Sequence, residues 1–333
     1  MSIELNQFQK KLCNILQDPF PLCEAPFAVL AEGLDSDEST VISQLQELKS
    51  LGIIRRFSAT VSYRALGKVA TLVTASVPAN DLVMVTPVIN ALPGVSHNYL
   101  RDHKYNLWFT LQESSTEQIE KLLANLSRRL GCQFHSLSAT KVFKLRVRFD
   151  PDFPAEVFSL ADAEAGTCDV GTFETEPATL TDMEKTILTK LQTDLEISPR
   201  PFDFLVTDTV DIDTAIATIQ SLIDKGVIRP LSAILNHHKL GFGANVMFCA
   251  SVAPDRVDNV GTRLAGLNVV SHCYERKTFE GWAYNLFAMM HARTLAQIRR
   301  LTDEFTAAEQ IEQFELLTTV AELKKRPVKQ TFA

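Results

Sequence analysis

The sequence predicts an α+β chain of two tandem modules, each a winged helix-turn-helix followed by a ferredoxin-like βαββαβ domain. Three observations predict it. The stretch Gly52-Ile53-Ile54-Arg55-Arg56-Phe57-Ser58 returns 174 positions later as Gly226-Val227-Ile228-Arg229-Pro230-Leu231-Ser232. A second echo follows each copy: Val95-Ser96-His97-Asn98-Tyr99 against Val270-Ser271-His272-Cys273-Tyr274, then Tyr105-Asn106-Leu107 against Tyr284-Asn285-Leu286. Helical periodicity precedes each copy, and the order strand, helix, strand, strand, helix, strand follows it. A repeat this long marks duplicated domains, not a solenoid. The expected divisions are helix-turn-helix 5–67, ferredoxin-like domain 68–149, acidic linker 150–179, helix-turn-helix 180–241 and ferredoxin-like domain 242–328.

In the first module Phe8, Leu12, Ile15 and Leu16 give an opening helix, stopped by Pro19 and Pro21. Pro26 starts a second. Asp35 or Ser36 is the expected cap of a third, whose stripe is Val41, Ile42, Leu45, Leu48 and Leu51 and whose stop is Gly52. The extended Ile53–Ser62 is the wing. The sheet domain then reads as strand 68–77, helix 81–91, strands 95–100 and 105–111, helix 116–130 and a long extended run 134–149. Late in that run Leu145, Val147 and Phe149 alternate with Lys144, Arg146 and Arg148, as on a half-solvated strand.

The second module repeats the order. Helices are expected over 181–193 and 211–222, a strand over 244–252, a helix over 255–267 and strands near 269–275 and 283–290. A helix over 294–305 and a last strand over 314–320 complete it. The turn between the middle strands is longer than its counterpart and carries Lys277, Phe279, Gly281 and Trp282.

The chain has 333 residues, 46% hydrophobic and 22% charged, with net charge −7. That is room for two packed cores. Residues 150–178 hold eight acids and no Lys or Arg, so the modules themselves are near neutral and the segment reads as a mobile linker. No apolar run reaches the ~18–20 residues of a membrane span. The start shows no secretory pattern. The six cysteines have no metal-ligand spacing, which fits reduced thiols in the cytoplasm.

A helix-turn-helix raises the question of DNA. Residues 37–51 offer Asp37, Glu38 and Glu47 against Lys49, and residues 211–225 offer Asp211, Asp213 and Asp224 against Lys225. Phosphate neutralisation needs the opposite balance, so no DNA binding is expected. The polar side chains gather elsewhere. Arg55, Arg56, Tyr63 and Arg64 sit in the first copy, and Arg229, His237, His238 and Lys239 in the second. Then come His97, Tyr99, Arg101, His103, Lys104 and Tyr105, answered by His272, Tyr274, Arg276, Lys277, Trp282 and Tyr284, with His291 following. Such a set offers cations for several carboxylates, and imidazoles and phenols for proton transfer or iron ligation.

At these residues the chain resembles a known family. Its module plan is similar to the Lrp/AsnC architecture. The phrases His237-His238-Lys239-Leu240-Gly241-Phe242, Val270-Ser271-His272-Cys273-Tyr274-Glu275-Arg276 and Trp282-Ala283-Tyr284-Asn285-Leu286-Phe287 resemble siroheme decarboxylase, with its two homologous subunits fused. The resemblance implies removal of CO2 from the C12 and C18 acetates of siroheme, giving 12,18-didecarboxysiroheme for haem d1 or alternative haem synthesis. It implies no added cofactor and no protein-bound metal, with the substrate iron contacted by His97 or His272. His272, Tyr274, His237, His97 and Tyr99 are then the expected catalytic set. Arg55, Arg56, Arg64, Arg101, Arg229, His238, Lys239, Arg276, Trp282, Tyr284 and Tyr105 are the expected substrate contacts, Trp282 as a cover over the flat ring. His272, Tyr274, Arg229, His237, His238, Lys239 and Tyr284 are expected to share the main pocket, and Arg55, Arg56, His97, Tyr99 and Arg101 a second one. The modules are expected to pair within the chain, with a homo-oligomer or other haem-biosynthesis proteins as further partners. The rival readings are an Lrp/AsnC-type ligand-sensing regulator and a non-catalytic tetrapyrrole carrier. DNA binding would select the first, and unchanged siroheme after incubation the second.

Overall fold

The computed structural model describes residues 3–145, 148–153, 159–163 and 176–332. The first module contains α1 (Gln7–Ile15), α2 (Pro26–Glu32), α3 (Glu38–Ser50) and the wing strand β1 (Ile54–Ser58). Then follow β2 (Val69–Ala75), α4 (Leu82–Ala91), β3 (Val95–Arg101), β4 (Leu107–Glu113), α5 (Thr116–Leu130), β5 (Phe134–Leu137) and β6 (Ala139–Leu145). A short α6 (Leu160–Ala163) lies in the connection. The second module has α7 (Asp182–Leu191), α8 (Ile212–Asp224), the wing strand β7 (Ser232–Leu235), β8 (Ala244–Ala250) and α9 (Val257–Gly266). It ends with β9 (Val270–Arg276), β10 (Leu286–Ala292), α10 (Leu295–Ala308) and β11 (Phe314–Lys325).

Local chemistry sets the helix ends. Asn6 with Gln9, and Thr181 with Glu184, close the same reciprocal cap at matching positions of α1 and α7. Asp37, not Asp35 or Ser36, caps α3, its carboxylate accepting from the Thr40 N–H at 2.9 Å. Asp35 lies two residues earlier at φ 51, inside the turn that follows α2. Gly52 (φ 71) and Gly226 (φ 66) end α3 and α8 in the left-handed conformation that glycine adopts without Cβ strain. The copies are not identical: where the first has α2, the second has only a 3-10 turn, Asp203–Leu205.

Among the described residues, the sheets of the two ferredoxin-like units are joined through shared strands into one nine-stranded sheet. All pairs are antiparallel, in the order β5-β2-β4-β3-β11-β8-β10-β9-β6. The terminal strand of each module is shared. β5 pairs with its own β2, but after Ser138 the chain continues as β6 against β9 of the other module. The first half of β11 pairs with its own β8, and the second half with β3 of the first module. Sequence alternation placed each last strand wholly in its own sheet; the structure makes both of them bridges.

The crossing has a steric requirement. A Cβ at Gly261 on α9 would lie 2.5 Å from the Phe143 ring on β6, so the glycine lets the first module's strand seat against the second module's helix. Lys144, expected on a solvated face, is buried and donates to the Leu267 carbonyl at 3.0 Å. Arg146 and Val147 lie outside the described residues.

Three apolar clusters follow from this plan. Phe109, Leu107 and Val95 pack on Ile119, Leu123 and Ile89 in the first module. Phe248, Ala288 and Met290 join Leu264, Ile298 and Leu301 in the second, in a cluster continuous with both helix-turn-helix units. Between the sheets, Trp108 and Leu137 of one module meet Met247, Phe287, Leu317 and Trp282 of the other. The wings also pair, β1 against β7. Of the acidic linker, residues 154–158 and 164–175 lie outside the described residues. Its first residues are pinned: Arg293 donates to the carbonyls of Phe153 (2.7 Å) and Pro151 (3.0 Å).

Candidate active site

Alternation along a strand puts every second side chain on one face. On β3 this aligns His97, Tyr99 and Arg101; on β9 it aligns His272, Tyr274 and Arg276. Their neighbours Asn98 and Cys273 face the helices, Asn98 donating to Asn90 of α4 and Cys273 to the Gly261 carbonyl. The two His-x-Tyr-x-Arg rows therefore face the space between the sheets. In each row the histidine and tyrosine rings lie nearly parallel, at 6.2 Å and 6.3 Å. The arginine covers the tyrosine face, at 5.6 Å for Arg101 on Tyr99 and 4.5 Å for Arg276 on Tyr274. The two arginines are anchored alike, Arg101 on the Leu317 carbonyl and Arg276 on the Leu137 carbonyl, both at 2.9 Å across the module boundary. The histidines and tyrosines are enclosed yet keep part of their surface accessible, as groups lining a recess do.

The wings close these recesses crosswise. Over the first row, Arg55 of β1 reaches Glu322 (3.3 Å) on β11, and Lys325 stands opposite His97 in register. The imidazoles of His237 and His238 feel Lys325 and Arg55, so the second module's loop covers the first module's row. Over the second row, Arg229 donates to the Leu145 carbonyl at 2.9 Å and acts on His272 and Tyr274. There it is joined by Tyr63 and Arg64 of the first module. His237 and His238 thus face the first module's row, while His237 also lies 5.4 Å from His291, which Ser271 joins to His272 beside Arg229. A strand pair makes each wing loop land on the other module's sheet.

Electrostatics gives the recesses one character. Burial, reinforced by Lys325 and Arg55, pushes His97 down to about 4. Burial with the neighbouring His238 pushes His237 to about 3, and burial with Arg229 pushes His272 to about 3. His291 is driven well below the ordinary range, by burial and then by His237 and His272. Tyr99 and Tyr274 rise to about 12, chiefly through burial. Around neutral imidazoles and phenols stand Arg55, Arg101, Arg229, Arg276 and Lys325, with Glu322 as counter-charge. That interior favours a polyanion.

Other expected contacts lie elsewhere. Trp282 is 2% exposed and packs on Tyr105 (5.7 Å), Trp108 (5.4 Å) and Tyr284 (4.8 Å). With Tyr105 it is a plug in the inter-module core, not a cover. Tyr284 bonds Glu315 at 3.4 Å at that end of the sheet. Arg56 is drawn toward Asp194 and still acts on His97. Lys239 lies in the turn after His238, its carbonyl accepting from the Ile3 N–H. The surface clefts of about 470 Å³ beside Pro87 and Leu122, and 590 Å³ beside Pro199 and Arg200, contain none of these groups. Glu322, Lys325, Ser96 and Ser271 were not picked out as site residues. The serines were visible in the doubled Val-Ser-His echo; Glu322 and Lys325 lie past the expected end of the last strand.

The arrangement defines a helix-turn-helix protein whose paired sheet domains build a polyanion site. The AsnC-like ligand binding domain family matches residues 65–144 and 239–324, and the siroheme decarboxylase NirDL-like HTH domain family matches residues 9–55. A siroheme decarboxylase of Hydrogenobacter thermophilus is 33% identical over 97% of this chain and 95% of its own length. The siroheme decarboxylase alpha subunit of Desulfovibrio desulfuricans is 40% identical over 45% of this chain and 86% of its own. The crystal structure of siroheme decarboxylase NirDL in co-complex with an iron-uroporphyrin III analogue matches at TM-score 0.69 and 30% identity, over 97% of this chain and 94% of that one. This chain belongs to the siroheme decarboxylases, a family of carboxy-lyases.

Proposed function

We propose that the chain removes CO2 from the C12 and C18 acetate side chains of siroheme, leaving methyl groups and using no added cofactor. The observation that carries this reading is the pair of His-x-Tyr-x-Arg rows facing the inter-sheet space, each beneath a wing arginine. A flat tetrapyrrole with many carboxylates needs cations at its rim and an enclosed centre. Arg55, Arg64, Arg229 and Lys325 supply the rim; Arg101 and Arg276 lie deeper, each with an unpartnered Nε. In the reaction the bond from carboxylate to methylene breaks, and its electron pair stays on the methylene carbon. A proton then completes the methyl group, one for each CO2. His272 with Tyr274, and His97 with Tyr99, are the groups placed to donate. Each histidine holds its Nδ1 against a serine hydroxyl, Ser271 (2.9 Å) or Ser96 (2.8 Å), which turns Nε2 toward the recess. A nitrogen that delivers the proton does not also bind iron, so the iron contact expected of His97 or His272 falls to whichever of the two is not delivering.

The same reading leaves the third helices without a DNA role. Lys49 of α3 is tied to Asp194, and Gln46 donates to the Ile197 carbonyl at 3.0 Å, so the second module occupies that face. Among the described helices none is long and apolar enough to cross a membrane. Cys13, Cys23, Cys132, Cys249 and Cys273 are free thiols, which suits a reducing cytoplasm. The test is anaerobic incubation with siroheme and mass spectrometry of the tetrapyrrole. Loss of two CO2 units is expected; recovery of intact siroheme would overturn the proposal.

A further inference from the structure

The second recess has a connection that the first lacks. Ser271 Oγ lies 2.9 Å from His272 Nδ1 and 2.9 Å from His291 Nε2, bridging two imidazoles. His291 lies 5.4 Å, centroid to centroid, from His237, and His237 lies 4.0 Å from His238. His237 is 3% exposed, whereas His238 stands at the surface. In the first recess Ser96 Oγ meets His97 Nδ1 and then Thr110 Oγ1 at 2.7 Å, where the chain of imidazoles stops. The strand position matching His291 is Gln112: Leu111 pairs with Val95 as Met290 pairs with Val270, and each is one residue further on.

We propose that His238, His237, His291 and Ser271 form a proton path from solvent to His272. The inference rests on the decarboxylation read above, which consumes one proton per CO2. Hydrogen-bond bookkeeping favours one starting state over the reverse order and over donation from Ser271 to the Met289 carbonyl at 3.4 Å. A serine has one proton to give. If Ser271 donates it to His272 Nδ1, it accepts from His291 Nε2–H, and His291 Nδ1 is left as a lone pair. That Nδ1 is buried and has no hydrogen-bond partner. An unpaired acceptor there is less costly than an unpaired N–H, and it is the atom that must receive the incoming proton.

The transfer then balances. The His272 Nε2–H bond breaks as the new C–H bond forms on the methylene carbon. The Ser271 proton passes to His272 Nδ1 and the His291 Nε2 proton passes to Ser271 Oγ; His291 Nδ1 then takes a proton from His237 when that ring, 5.4 Å away centroid to centroid and not hydrogen-bonded to it at rest, turns into reach, and His237 is recharged from His238. No ring is left as an anion, and no oxidant is required. The path suits imidazoles that stay neutral in this cationic interior, because no step needs a stable imidazolium. Each delivery leaves both enclosed rings in the other tautomer, so the path resets before the second CO2 departs.

Ser271 and His291 are positioning residues, because they act through His272. The experiment is single-turnover decarboxylation of siroheme bound to the full chain, in H2O–D2O mixtures, with siroheme binding followed separately by absorbance. The wild type is expected to show a curved dependence of rate on deuterium fraction, from several protons in flight. Ser271→Ala and His291→Gln are expected to bind siroheme normally but to slow by about 10²-fold, the low end for a positioned proton donor. His291→Gln places the residue already present at the matching position of the first module. Ser271→Thr keeps the hydroxyl and should restore the rate, and added free imidazole should speed Ser271→Ala. Wild-type rates with the same curvature in Ser271→Ala and His291→Gln would overturn the path while leaving the decarboxylase reading intact. Failure of the wild type itself to release CO2 would instead sink that reading.

Discussion

Lowering the pH should unfold this protein earlier than its carboxylates alone would dictate. His97, His237 and His272 are held near 4, 3 and 3 in the fold, against an ordinary value of 6.5. Between pH 6.5 and those values the unfolded chain binds protons that the folded chain refuses, so stability falls as pH falls. At pH 5 each such histidine costs about 2 kcal/mol by the linkage of 1.36 kcal/mol per unit, and about 1–2 kcal/mol once water reaching the recess is allowed for. Three of them remove roughly 3–6 kcal/mol, a large part of an ordinary domain's margin. Glu184 does not contribute in this window. Burial disfavours its charge, but Lys225, the Thr181 N–H and Ser221 hold it near 2. Its stabilisation is therefore intact above about 4.5 and is lost as the pH falls from there toward 2. The assay is urea unfolding followed by circular dichroism at pH 7, 6 and 5, at fixed ionic strength. A stability unchanged within about 1 kcal/mol over that range would show that these imidazoles are not held neutral.

Two substitutions test the module boundary. Gly261→Ala should destabilise the chain by about 1–3 kcal/mol, because its methyl meets the Phe143 ring; Phe143→Leu in the same chain should recover part of the loss in thermal melts. Trp282→Ala should cost about 3–5 kcal/mol while changing siroheme affinity little at temperatures where the protein stays folded. A variant that remained stable but lost binding would return Trp282 to the role of a cover.

Elements with local signals were legible in the sequence. α5 spans Thr116–Leu130 as its periodicity indicates, and the corresponding strands β3 and β9 stand where the doubled His-x-Tyr puts them. What failed was partnership. Alternation tells a strand which side chains share a face, not which neighbour it bonds, so β6 and the second half of β11 were assigned to their own modules. The sequence expectation stops the last strand at Val320, which is 60% exposed beside an irregularity between Thr319 and Ala321. Glu322 and Lys325 were lost with it. Trp282 looked like a lid because it lies in a polar turn; its burial depends on Trp108 and Tyr105, 170 or more positions away in sequence. That His237 and His238 also reach the first module's row is not legible in the stretch, because nothing in it shows that the wings pair.

That pairing also explains what a duplicated chain can do that two identical subunits cannot. Each recess takes its row of histidine, tyrosine and arginine from one module and part of its cover from the other. β3 is bordered by β11 and faced by His237 and His238; β9 is bordered by β6 and faced by Tyr63 and Arg64. Neither module alone encloses a recess. Two identical copies related by symmetry would build two identical recesses, and any residue suited to one would appear in both. Joining the copies in one chain keeps them at high effective concentration and frees each to diverge. His291 against Gln112, and His237-His238 against Tyr63-Arg64, are divergences of that kind. They fall on the cover and the proton supply, while the two rows stay alike. The duplication thus holds the polyanion-binding frame constant and varies the groups that can move protons.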